Sequence, residues 1–257
     1  MRTRHLLRTP SVLVLAATAA FALAGCSGDA EPAPPTTATA PATATAPSAP
    51  ATTAPAIATG CAPAGTGVPA GASTVSTIDL DGDGAGDTLW ISGAGSDRQV
   101  GVTTASGATT SLPIDLAGPA GATAFALRPD PADPAEVLVT DNRLADLLVL
   151  DGCALAPVTD AAGAPWQFDL GYTGYGTGVG CVDVDRDGTL DLAGLNLLED
   201  GATVTRTAID VTGTLAAAGT EDQVTIDPAD QTAVDTAHAL TCGDRTAAAD
   251  GVHEPQG

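Results

Sequence analysis

The chain has 257 residues, 31 of them acidic against nine basic, for a formal net charge of −22 at pH 7. No lysine occurs, so such a surface repels nucleic acid and anionic lipid, while cations are favoured.

The N-terminus reads as a leader. Arg2, Arg4 and Arg8 precede an apolar run from Ser11 to Ala24, which closes as Leu23-Ala24-Gly25-Cys26. The run is short and ends in small residues, the layout of a secretory signal peptide over residues 1–25 rather than of a spanning helix. The closing tetrapeptide resembles the lipobox of bacterial lipoproteins. That resemblance implies that Cys26 becomes the lipidated first residue of the mature chain and anchors it to a membrane of the cell envelope, each buried methylene adding roughly 0.8 kcal/mol.

Residues 26–60 are nearly all Ala, Thr, Pro and Ser. They lack the large apolar side chains that offset the entropy of folding, so a disordered tether is expected. At roughly 3.1 Å per residue it would span on the order of 100 Å.

The remaining stretch, 61–257, is long enough for one sizeable core. Three arginines leave with the leader, so six remain against all 31 acids, a mature charge of about −25. Four cysteines stay: Cys61, Cys153, Cys181 and Cys242. None forms a CxxC pair, so two structural disulfides are expected, with three connectivities open.

Repetition organises this stretch. Ile114, Phe168 and Ile226, each followed by an aspartate, recur at intervals of 54 and 58. Asp79, Asp130, Asp183 and Asp244, each at the end of a short apolar run, lie 51, 53 and 61 residues apart. Two markers with one period predict units of about 50–60 residues, three complete and one a fragment. Within units the pattern is of short strands between Gly, Ser and Asp: 88–91, 99–103, 110–114, 136–139, 146–150, 190–195 and 202–207. No long run has helical period. Arg143–Leu150 has a helical turn and a half of it, but the Asp151-Gly152 turn that follows suits a hairpin better. An all-β class follows.

Two loops carry the chemistry. Asp79, Asp81, Asp83 and Asp87 stand at positions 1, 3, 5 and 9 of one, with Gly84 at 6. Asp183, Asp185, Asp187 and Asp191 repeat that spacing, with Gly188 at 6. Calcium takes six to eight hard oxygens, and alternating carboxylates on a tight loop converge on one point. One acidic turn is commonly a solvated loop, but two with identical spacing favour a metal. Position 12, where an EF-hand needs a bidentate glutamate, is Trp90 in one loop and Gly194 in the other, so the EF-hand is excluded.

Asp-x-Asp-x-Asp-Gly-x-x-Asp between strands resembles the calcium loop of FG-GAP and VCBS-type repeats, as in the integrin α-chain β-propeller. The resemblance implies propeller-like blades and two Ca2+ sites. One would comprise Asp79, Asp81, Asp83, the Ala85 carbonyl and Asp87; the other, Asp183, Asp185, Asp187, the Thr189 carbonyl and Asp191. It also sets first strands of neighbouring blades side by side, which pairs Cys181 with Cys242 and leaves Cys61 for Cys153. The FG-GAP tripeptides are missing, and three units with a fragment imply a four-bladed ring or a partial propeller. The loops at Asp130, Asp133, Glu136 and at Asp244, Asp250 lose the alternation, and no calcium is expected there.

Catalytic constellations are thin. His238 and His253 read as lone histidines, and no serine has a nucleophile-elbow context. Trp90 suits a core, whereas Trp166, Tyr172 and Tyr175 suit a recognition surface. The expectation is a calcium-stabilised envelope lipoprotein that binds a glycan or protein ligand, or serves envelope structure, without catalysis. The alternative is a calcium-dependent extracellular hydrolase of surface polysaccharide or phosphoester.

Overall fold

The structure, a computed structural model, describes residues 60–116, 121–171 and 177–255, all within one compact unit, Ala54–Gly257. The expected signal peptide over residues 1–25, Cys26, nearly all of the expected tether, Tyr172 and Tyr175 lie outside the described residues.

Four antiparallel sheets follow one another along the chain. The first is a meander of β1 (Ser73–Ser76), β2 (Thr88–Ser92), β3 (Gln99–Thr103) and β4 (Thr109–Pro113). The second holds β5 (Thr123–Leu127), β6 (Glu136–Thr140), β7 (Leu144–Asp151), β8 (Ala154–Pro157) and β9 (Gln167–Asp169). The third is again a meander, β10 (Thr177–Val182), β11 (Asp191–Leu197), β12 (Thr203–Thr212) and β13 (Leu215–Thr225). Helix α1 (Gln231–His238) leads to the fourth sheet, only β14 (Thr241–Cys242) and β15 (Arg245–Thr246). A single turn, α2 (Ala247–Asp250), then precedes β16 (Val252–His253), which pairs with β5.

The repeat has a structural meaning. Each unit opens with the strand that enters its acidic loop: β1, β5, β10 and β14. Each complete unit closes by bringing its outer strand back to the start of its third. The Ile114 amide bonds the Arg98 carbonyl, the Ile226 amide bonds the Ala202 carbonyl, and Phe168 pairs with Ala145. In the second unit that outer strand is split, because residues 158–166 are inserted between β8 and β9, and both halves pair with β7.

Packing is face to face. In β5, Ala124 and Ala126 point to the first sheet, with Leu89, Ile91, Val100 and Val102. Phe125 and Leu127 point to the third, with Val179, Leu192 and Ile209. Every residue of β5 and β6 is buried, which is why TAFAL and EVLVT are continuous runs rather than alternating ones. The far face of the third sheet is covered by α1 through Val234 and Ala237.

Two features narrow the expected architecture. The propeller ring is not closed among the described residues, because the fourth unit has only two-residue strands and the last strand, β16, is used up on β5. The chain is also not purely β. Asp230 caps α1 by accepting from the Thr232 and Ala233 amides, and the apolar stripe is too small in Ala-rich QTAVDTAH to stand out as a period.

Both disulfides are short-range in space. Cys61 joins Cys153 at a Cα–Cα distance of 5.6 Å, and Cys181 joins Cys242 at 4.7 Å. Cys153 sits in a two-residue hairpin turn with Gly152, both at positive φ (69° and 53°), the geometry that matches strand twist. Cys181 and Cys242 lie on β10 and β14, whose approaches meet in a parallel bridge between Val179 and Leu240. Two disulfides fit an oxidising, extracytoplasmic compartment.

Trp90 is 1% exposed and lies over Gly101, its cross-strand partner on β3; a Cβ there would fall 2.1 Å from the ring. Gly101→Ala is therefore expected to destabilise the fold by about 1–3 kcal/mol, as overpacking does. The check is a lower urea midpoint at unchanged slope.

Candidate metal centres

Both acidic loops join the first two strands of a sheet, β1 to β2 and β10 to β11. Their backbones are the same, bond for bond. The position-4 amide donates to the first aspartate (Gly82 to Asp79 Oδ1, 2.6 Å; Arg186 to Asp183 Oδ1, 2.6 Å). The position-6 amide donates to its other oxygen (Gly84, 2.8 Å; Gly188, 3.1 Å). Position 5 donates to position 3, and position 7 to position 5 (Ala85 to Asp83, 2.7 Å; Thr189 to Asp187, 2.8 Å). The second amide donates to the last carboxylate (Leu80 to Asp87, 2.7 Å; Val184 to Asp191, 2.9 Å).

Five equivalent bonds fold each loop around its own carboxylates. The coil requires positive φ at positions 4 and 6. Glycine supplies it at Gly82, Gly84 and Gly188, while Arg186 adopts it at φ 67° despite its side chain. A carboxylate has about four lone-pair sites, so one amide bond per oxygen leaves room for a cation.

The carboxylates converge differently in the two loops. Oxygens of Asp79, Asp81 and Asp87 lie within 4.8 Å of one another, as do those of Asp183, Asp185 and Asp187. Asp83 and Asp191 belong to neither triad. Each triad offers hard oxygen ligands at a spacing that one divalent ion spans, so the donor sets fit Ca2+.

Their surroundings also differ. In the first loop the Cys61 amide donates to Asp81 (2.8 Å) and the Ala105 amide to Asp87 (2.9 Å), which ties the loop to the disulfide and to the β3–β4 turn. Asp87 is buried, and that burial pushes its carboxyl above the usual range, aided by Asp81 and Asp79 and opposed by the amide bonds. The second loop is mostly exposed, and the Thr189 hydroxyl and amide hold the Asp187 carboxyl below the usual range.

Other sequence candidates fall elsewhere. His238 and His253 line one cavity of about 330 Å3, where His253 Nδ1 bonds the Thr123 hydroxyl at 2.9 Å. Trp166 is half-buried against the core between the second and third sheets, so it contributes packing as well as surface.

Glu136, which the sequence placed only in an acidic loop without calcium, has a different setting. Glu136 opens β6 and is 2% exposed, with no partner for Oε2. It lines a cavity of about 280 Å3 with Asp133, Asp191 and Asp210. Only the split between an acid at 136 and the apolar run after it hinted at this position.

No family model, curated protein or solved structure matches this chain.

Burial, and secondarily Asp133, pushes the Glu136 carboxyl up to about 8 from its ordinary 4.5. The folded state thus keeps a proton that the unfolded chain releases. That contribution to stability is whole below pH 4.5 and is lost as pH rises towards about pH 8. The slope is about 1.4 kcal/mol per pH unit. Urea unfolding across that window is expected to show a shallower decline for Glu136→Gln than for the parent chain.

Proposed function

We propose that this chain is a cell-envelope lipoprotein whose head is a calcium-stabilised, propeller-derived β-repeat module that binds a ligand without catalysis. The bond-for-bond identity of the two carboxylate loops carries this reading. Independent acidic turns have no reason to share five hydrogen bonds and two positive-φ positions. Loops shaped by a common ion do.

In this reading Asp79, Asp81, Asp83, Asp87 and the Ala85 carbonyl hold one Ca2+; Asp183, Asp185, Asp187, Asp191 and the Thr189 carbonyl hold the other. The ion draws Asp83 and Asp191 into the sphere that the triads begin. Its chemistry is to replace carboxylate repulsion with shared coordination, so its first role is structural. Face-to-face sheets and side-by-side opening strands support descent from a propeller of FG-GAP or VCBS type. Two disulfides, the leader and the Cys26 lipobox support a head held outside the membrane on its tether. The ligand class is a glycan or protein surface, and nucleic acid is disfavoured by charge.

A second reading, hydrolysis of surface polysaccharide or phosphoester, is favoured by one observation. Glu136 holds its proton near neutrality in a cavity that also has Asp133 and Asp210, the pairing of acid and carboxylate that glycoside hydrolysis uses. Turnover of a polysaccharide that Glu136→Gln abolishes would favour it over the binding module.

Calorimetry is expected to find two Ca2+ per chain, and one after either Asp79→Asn or Asp183→Asn. Calcium at a hundredfold excess over Kd adds about 2.7 kcal/mol per site. Both sites together would raise Tm by on the order of 10 °C, and a chelator would reverse it. Absence of binding at millimolar calcium would end the metal reading.

A further inference from the structure

Of the head's six arginines, Arg98, Arg186 and Arg206 pair with carboxylates. Arg128 and Arg245 have no ion pair among the described residues. That is unexpected in a chain with 31 acids, where a carboxylate is the commonest charged neighbour. Both line one cavity of about 310 Å3, at the junction of the first, second and fourth sheets.

Their other contacts fix them in place. Arg245 donates from Nη1 to the Ala126 carbonyl (3.3 Å) and from Nη2 to the Thr77 hydroxyl (3.1 Å), and it stacks on Phe125 at 5.5 Å from the ring centroid. Arg128 Nη2 reaches the Leu80 carbonyl at 3.4 Å, while its Nε is buried and has no partner. Neutral acceptors position these guanidinium groups but do not neutralise them. A cation held only by neutral acceptors keeps its charge, and a guanidinium fork of N–H groups lining a cavity matches the two oxygens of an oxyanion. Ile78, Leu127, Pro131 and the Cys242 half of a disulfide give the remaining wall an apolar character.

We infer that Arg128 and Arg245 form a binding site for an oxyanion, a carboxylate or phosphate group, whose attached body rests on the apolar wall of the cavity. The site gives the proposed binding module a ligand chemistry, an acidic group on a surface molecule. In that respect it rests on the binding reading above, but the arginines stand independently of the metal.

One cavity residue links the two. Asp79 lines the same space and is position 1 of the first loop. Its negative charge opposes an incoming oxyanion. A cation shared with Asp81 and Asp87 removes that opposition, so oxyanion affinity rises when the first loop is filled. By reciprocity the oxyanion tightens calcium at that loop.

The test is titration of the whole chain with benzoate and with methyl phosphate, each with and without calcium, followed by the Arg side-chain Nε–H resonances in NMR. Calcium binding is measured separately by calorimetry. Saturable shifts of the Arg128 and Arg245 signals are expected, with affinity lowered at least about tenfold by Arg128→Gln. Pro131→Glu leaves both arginines in place and puts a carboxylate on the exposed rim; it is expected to abolish binding with the near-ultraviolet circular dichroism unchanged. Tighter benzoate assigns a carboxylate on an apolar body, and tighter methyl phosphate assigns a phosphoryl group. Calcium binding with no shift from either probe overturns the arginine site and leaves the metal reading standing. Probe binding without calcium binding does the reverse.

Discussion

A chain with 31 carboxylates and no lysine has to stabilise its acids with something other than side-chain cations, and the backbone amide is what the fold offers. Aspartate after aspartate accepts from an amide two residues on: Asp130, Asp141, Asp160, Asp200, Asp227 and Asp230 each hold a turn in this way. The two nine-residue loops carry the habit furthest, with carboxylates folded inward on amides until three of them meet. Such a loop is well shaped and badly balanced. Its hydrogen bonds are satisfied, but its carboxylates still repel one another, and a divalent cation is one way to relieve that.

Much of the fold was legible because it is local. Alternation and Gly or Asp punctuation located β2, β3, β6, β7, β11 and β12 to within a few residues. The repeat markers located the opening and closing strand of each unit. What was missed depends on distant partners. β13 is eleven residues of mostly exposed, Ala- and Thr-rich sequence, held by pairing with β12 rather than by an apolar pattern of its own. The split of β8 from β9 needs β7 as a common partner. Helix α1 is signalled by Asp230 and little else.

The same division runs through the sites. Carboxylate spacing is written in the sequence, so both loops were legible as acidic clusters that could hold a metal, as was the pairing of cysteines once blades were placed side by side. The grouping of Asp87 rather than Asp83 with Asp79 and Asp81 was not, because it depends on Ala105 and Cys61 drawing the first loop inward. The burial of Glu136, and the grouping of two arginines without ion pairs among the described residues, were not legible for a like reason. Each is defined by what other sheets bring to it, or fail to bring.

One sequence pattern has therefore produced two physically different sites. The first loop is held on three sides, by its own amides, by the Cys61 amide and by the Ala105 amide, and its ninth-position acid is 2% exposed. Burial weakens solvent screening of the repulsion between Asp87 and its half-buried neighbours Asp79 and Asp81, so the charge of this loop lies against the fold, next to a disulfide and an arginine-lined cavity. The second loop stands in water, where a carboxylate cluster is screened, and its nearest cations, Arg186 and Arg206, are already committed to Asp222. The buried loop is thus the one whose carboxylates are coupled to the rest of the fold, through the Cys61 and Ala105 amides, and the exposed loop is largely self-contained.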